Sequence, residues 1–181
     1  LNIALFSAFG GSAGDIDAYV AAHQLLIAYQ GVPGLYLNAL LGSMNDVKQM
    51  EITGRTRSIN RGSWSAEELA ERLADPESLN ARIFDRLSQS LKIRADQRAF
   101  APTARQRFVE GGKDHLMFLR SDEKQRLLIV ASFSAEPQKI DWPSGLSMSS
   151  AMAKDLLTNV PHAADQPLSL ASHQVLWLEL G

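Results

Sequence analysis

Arg55, Arg57 and Arg61 fall in a stretch, residues 38–63, that holds only two acids, Asp46 and Glu51. Planar guanidinium groups suit the oxygens of an oxyanion such as phosphate, to which they make bidentate, charge-assisted bonds. One such bond is worth roughly 1.5–3 kcal/mol. A structural reading competes: Arg61 reaches Glu67 or Glu68 as a loop–helix ion pair, and Arg55 and Arg57 tie down the loop. Asn45 and Asp46 carry polar groups that suit a substrate, but Asn-Asp also simply makes a turn.

Other chemistry is harder to build. The chain has no cysteine, which excludes disulfides, thiolate catalysis and zinc–cysteine sites. His115, His162 and His173 show no metal-ligand spacing, and His23 sits mid-helix, where a core or surface role is expected. Gly10-Gly11-Ser12-Ala13-Gly14 precedes a helix, as a phosphate cradle does. It lacks the lysine and spacing of a P-loop, so it reads as a flexible loop. Trp142 and Trp177 offer a sugar platform or, more simply, core packing. Tyr36 is expected to pack inside.

The net charge of −2 and a pI near 6.1 give no basic excess for nucleic acid and no polybasic run for anionic lipid. No apolar run approaches the ~20 residues that span a bilayer. The opening LNIALFSAFGG is not a signal peptide, and the missing initiator Met suggests a piece of something longer. Lack of cysteine fits a reducing cytoplasm, the expected location.

Elements must place these residues. Residues 1–6 and 32–37 read as apolar strands on either side of a helix that Asp15 caps and Gly31 stops, a βαβ unit with a right-handed crossover. Residues 38–63 read as a long loop of the kind that is often functional. Ser65-Ala66-Glu67-Glu68 is a capping box for a short helix through Leu69 and Leu73. Asp75-Pro76 starts another, whose face is Leu79, Ile83, Phe84, Leu87, Leu91 and Arg94, over five to six turns. Beyond Pro102 the pattern changes to short β runs at 106–110, 115–120, 127–133, 138–142 and 174–180, with hairpin turns at Gly111-Gly112 and Asp122-Glu123-Lys124. Residues 148–161 give no clear signal.

Three segments resemble the α-amylase superfamily, glycoside hydrolase family 13. Gly31-Val32-Pro33-Gly34-Leu35-Tyr36-Leu37 resembles its last barrel strand. Gly42-Ser43-Met44-Asn45-Asp46 followed by Gly54-Arg55-Thr56-Arg57-Ser58-Ile59-Asn60-Arg61 looks like the loop after that strand in sucrose phosphorylase and its relatives. Val175-Leu176-Trp177-Leu178-Glu179-Leu180 is similar to the last strand of the C-terminal β domain. Leu1-Asn2 resembles the start of the seventh barrel strand, and Ala39-Leu40-Leu41-Gly42-Ser43 looks closer to glucosylglycerate-type phosphorylases.

The resemblance implies an α/β plus all-β chain: the C-terminal end of a (β/α)8 barrel over residues 1–100, then a small antiparallel β-sandwich over 101–181. It implies a parent that transfers glucose from an α-glucoside to phosphate with retention and without metal or organic cofactor. Loops after barrel strands build such sites. By resemblance Arg61 matches the arginine of the acceptor or phosphate subsite, Arg57 opens the same motif, and Asn45 and Asp46 are further substrate-binding candidates. The family's three catalytic acids lie on earlier strands and nothing here matches them, so no catalytic residue is assigned and the segment alone is expected to be inactive. Its partners are an α-glucoside, phosphate and the remainder of the barrel, with homo-oligomerisation as another way to bury open strand edges. A hydrolase or transglucosylase of the same superfamily and a non-catalytic carbohydrate-binding module are the rival readings.

Overall fold

The computed structural model describes residues 2–109 and 111–181. Leu1 and Glu110, which the sequence reading placed in strands, lie outside them. The chain forms two compact units, one of Leu1–Val20 with Gly34–Gln89, the other of Ala21–Pro33 with Ser90–Gly181.

The first unit is helical. Short helix α1 (Leu5–Ala8) stands where a strand was expected, and residues 32–36 run without regular structure into α3 (Leu37–Leu40). The expected βαβ unit is therefore not formed. The backbone stays extended at Ala4 (φ −70°, ψ 131°) and Tyr36 (φ −74°, ψ 135°), but a strand exists only through a hydrogen-bonded ladder. No strand in the described residues pairs with either stretch.

Helix α2 (Ile16–Ala28), whose residues from Ala21 on belong to the second unit, is preceded by a 3₁₀ turn, Ala13–Asp15, whose N-cap is Ser12. Asp15, expected as the cap, instead closes the box: its carboxylate accepts from the Ser12 amide at 2.9 Å and hydroxyl at 2.5 Å. These bonds hold its pKa below the ordinary 3.8.

The long loop is also more regular than expected. Asp46 caps α4 (Val47–Thr53) by accepting from the Gln49 amide at 2.8 Å, and Gly54 ends it in the left-handed conformation at φ 62°. A 3₁₀ turn, Thr56–Asn60, follows. Helix α5 (Ala66–Ala74) has the expected cap, Ser65 accepting from the Glu68 amide at 3.0 Å. Helix α6 (Leu79–Ala95) begins three residues after Pro76. There Asp75 makes only a turn to Glu77, and the Ser78 hydroxyl takes the Ala81 amide.

The core of this unit is Phe6, Ile16, Tyr19, Val20, Ile83 and Leu87. Phe6 and Tyr19 meet ring to ring at 5.0 Å, and the Tyr19 hydroxyl donates to the Ala39 carbonyl at 2.6 Å. Burial pushes that hydroxyl well above its usual pKa. Gly42 (φ 61°) lies so close to Ile83 that an added Cβ would stand 2.5 Å from the Ile83 side chain.

The second unit is a β-sandwich, as the sequence grammar implies. Its strands are β1 (Arg105–Phe108), β2 (His115–Ser121), β3 (Arg126–Ser132), β4 (Gln138–Ile140), β5 (Met152–Asp155), β6 (Pro161–Ala163), β7 (Leu168–Leu170) and β8 (Val175–Glu179). All pairings are antiparallel, in a six-stranded sheet β1-β2-β3-β8-β5-β6 and a pair β4-β7. β5, β6 and β7 had no clear sequence signal.

Side chains alternate across the large sheet. Met117, Leu119, Leu128, Val130, Leu176 and Leu178 meet Ile140, Leu168 and Leu170 of the small sheet. On the opposite face Phe118 stacks on Tyr29 at 5.1 Å, and Trp177 meets Phe100 at 4.8 Å. Both faces are thus covered, which is why β3 is buried at nearly every position. Trp177 is fully buried, and the Trp142 indole donates to the carbonyls of Ala163 and Gln166 at 3.2 and 2.9 Å. Both tryptophans serve the core.

Candidate functional site

In the first unit, α4 and the 3₁₀ turn fold back on each other. The Asp46 amide donates to the Ile59 carbonyl at 2.7 Å, and the Thr53 and Ser58 hydroxyls are hydrogen-bonded at 2.8 Å. The Asn38 side-chain amide reaches the Gly62 carbonyl at 2.8 Å. Arg61 ends the turn, its amide donating to Ser58 at 3.1 Å.

This folding brings Arg57 and Arg61 to one cleft of about 560 Å³, lined also by Asn2, Tyr36 and Asn60. Among the described residues no carboxylate is in that lining. Both arginines are exposed, and among the described residues neither makes an ion pair. The bridge weighed for Arg61 does not form: Glu68 pairs with Arg72 at 3.7 Å. Two free guanidiniums, two amides and a phenol offer donors on several sides and so suit an oxyanion.

Asn45 and Asp46 lie elsewhere. They line a second cleft of about 380 Å³ with Lys48, Gly62, Trp64 and Glu68 among others. Both are held by local bonds: Asn45 Oδ1 accepts from the Ala4 amide at 2.7 Å, and the Asn45 amide donates to Ser7 Oγ at 2.9 Å. Arg55 precedes the 3₁₀ turn, is exposed, and lines neither cleft.

Sequence reasoning missed Tyr36, Asn60 and Asn2. Tyr36, expected to be packed inside, is 56% exposed at the mouth of the Arg57–Arg61 cleft. Signals existed for two of them: Tyr36 closes an apolar run directly before the polar loop, and Asn60 sits beside Arg61 in the same motif. His23, by contrast, is buried at 3% exposure. No group of histidines and carboxylates able to hold a metal occurs among the described residues, nor does any helix long and apolar enough to cross a membrane.

Residues 106–177 match the family model described as the C-terminal domain of maltogenic amylase. A glucosylglycerate phosphorylase of Spirochaeta thermophila is 32% identical over 98% of this chain and 33% of its own length. Another, of Allomeiothermus silvanus, is 33% identical over 77% of the chain and 26% of its own length. The chain thus spans about a third or less of these curated relatives. Among solved structures, AmyP in complex with maltotriose superposes with a TM-score of 0.79 at 18% identity, covering 94% of this chain and 36% of that one. At that identity the likeness concerns the fold alone.

Proposed function

We propose, from the premise that this chain is a sucrose- and glucosylglycerate-phosphorylase-like member of the α-amylase superfamily, that it is the C-terminal portion of a retaining glycoside phosphorylase and carries that enzyme's phosphate site. The substrate is an α-glucoside of the sucrose or glucosylglycerate type, and the product is glucose 1-phosphate. The observation that carries this reading is that Arg57 and Arg61 line one cleft with Tyr36, Asn60 and Asn2, and have no carboxylate partner among the described residues.

The chemistry divides accordingly. In retaining transfer a carboxylate displaces the aglycone from the anomeric carbon, and an acid protonates the departing oxygen. Those two groups belong to the remainder of the barrel. An oxygen of hydrogen phosphate then attacks the anomeric carbon, the bond to the carboxylate breaks, and the phosphate's proton passes to the group that protonated the aglycone, regenerating the acid. The part of this chain is to hold the phosphate dianion where water would otherwise react. Arg61 and Arg57 neutralise its charge, and the amides of Asn60 and Asn2 and the Tyr36 hydroxyl orient its oxygens. Leu37, Val47 and Ile52, exposed on the same unit, support a further part of the barrel as the covering partner.

The test is phosphorolysis by the complete enzyme. Arg61→Ala is expected to lower kcat/KM for phosphate at least about tenfold while sparing the slow hydrolysis of the same glucoside by water. Phosphate-independent turnover in the unaltered enzyme would sink the reading in favour of a hydrolase or transglucosylase.

A further inference from the structure

We propose that Asn38 is a positioning residue for the anion cleft, acting through the Gly62 carbonyl. The inference rests on the phosphate reading of that cleft and extends it to a residue that does not line it.

The argument starts from how the arginines are carried. Both stand on an irregular segment, the 3₁₀ turn Thr56–Asn60 and its C-terminal residue Arg61. A single short turn has little stability of its own, and both side chains are exposed. Their placement must come from what fixes the backbone around them.

Several ties do so. The Asp46 amide holds the Ile59 carbonyl at 2.7 Å, two residues before Arg61. The Thr53 hydroxyl donates to the Gln49 carbonyl at 2.8 Å and can accept from the Ser58 hydroxyl at 2.8 Å, so the end of α4 grips the turn. The Asn38 amide holds the Gly62 carbonyl at 2.8 Å, one residue after Arg61.

The Asn38 tie differs from those of Asp46 and Thr53 in what it joins, and from the exposed tie of Asn2 to Thr56 in being part-buried and shorter. Asp46 and Thr53 belong to the same folded-back segment as the arginines. Asn38 belongs to α3, two residues beyond Tyr36, which forms another part of the cleft lining. One side-chain amide therefore couples the segment bearing the phenol to the segment bearing the guanidiniums. Asn38 is half-buried, which protects the bond from competing water.

Gly62 shows how little slack this arrangement has. A Cβ there would stand 3.3 Å from Asp46 Oδ2, the carboxylate that caps α4. Gly62 thus leaves little room for a side chain beside the helix cap, and its carbonyl is held by Asn38.

The experiment is steady-state phosphorolysis by the complete enzyme, with inorganic phosphate as the varied ligand. Asn38→Ala is expected to raise KM for phosphate about tenfold and to leave kcat/KM for the glucoside within about twofold. Asn38→Gln, which keeps the amide donor, should recover part of that loss. The decisive measurement is the double variant. If Asn38 acts through Arg61, adding Asn38→Ala to Arg61→Ala costs less than about twofold further. Additive losses, or an Asn38→Ala enzyme with unchanged phosphate KM, would overturn the proposal. Should Asn38→Ala fail to fold, Asn38→Leu, which keeps the bulk and removes the donor, tests the same bond: raised phosphate KM supports the proposal and an unchanged value overturns it. An Arg61→Ala enzyme with normal phosphate kinetics would instead remove the phosphate reading itself.

Discussion

At the scale of single residues, charge in this protein is handled in two ways. Arg57 and Arg61 are exposed and unpaired, whereas Arg94 and Arg120 are spent on backbone. Arg120 is fully buried and donates to the carbonyls of Ala28, Ala101 and Ala104 at 2.8, 3.0 and 3.5 Å. Arg94 donates to those of Ile27, Gly31 and Phe100. Together they satisfy carbonyls at the C-terminal end of α2, where a cation also suits the helix dipole. Burial first, and the neighbouring Arg94 second, push Arg120 down to about 10. Asp122 makes the opposite case. The Lys124 amide foremost, then the Gln125 amide and Arg98, hold its pKa below the ordinary 3.8. A carboxylate so depressed supports the fold fully above its unfolded value, and that support fades as pH falls through the lower, folded value. The Asp122 turn between β2 and β3 should therefore keep its structure down to about pH 3.8 and loosen below it. Amide protection of Lys124 and Gln125, followed by NMR across that range, checks this; loosening that begins well above pH 4 would contradict it.

At the scale of elements, legibility followed the strength of local signals. The Ser65 box and the hairpin at Asp122 were readable because each is a short-range contract between a side chain and a nearby amide. Ser65→Ala should accordingly cost about 1 kcal/mol, read as a small fall in Tm, since α5 has no fully buried residue to compensate. The strands β2, β3 and β8 were readable from their apolar runs. β6 and β7 were not, because three residues each leave too short a pattern. Strand signals at 1–6 and 32–37 were real in composition, yet pairing is a property of two segments and no partner was at hand. The site divided likewise. Arg57 and Arg61, singled out by resemblance, line one cleft, and Asn2 joins them there by tertiary folding that no local pattern encodes.

At the scale of the whole molecule, a chain covering about a third of its phosphorylase relatives is expected to depend on what they have in addition. Its first unit carries Leu5, Leu37, Val47 and Ile52 exposed, beside extended backbone with no ladder. Expressed by itself, the 181-residue chain should release no glucose 1-phosphate from an α-glucoside and should self-associate, as seen by sedimentation. A monodisperse, cooperatively melting monomer would contradict the second expectation, and measurable phosphorolysis the first. The segment between Asn38 and Gly62 is buttoned at its ends by one amide–carbonyl bond, yet it is also stitched to the rest of its unit: Asn45 to Ala4 and Ser7, the Leu41 carbonyl to Asn80, and the Ala39 carbonyl to Tyr19. A transplant of this stretch into another scaffold should therefore keep its shape only if those anchor points travel with it.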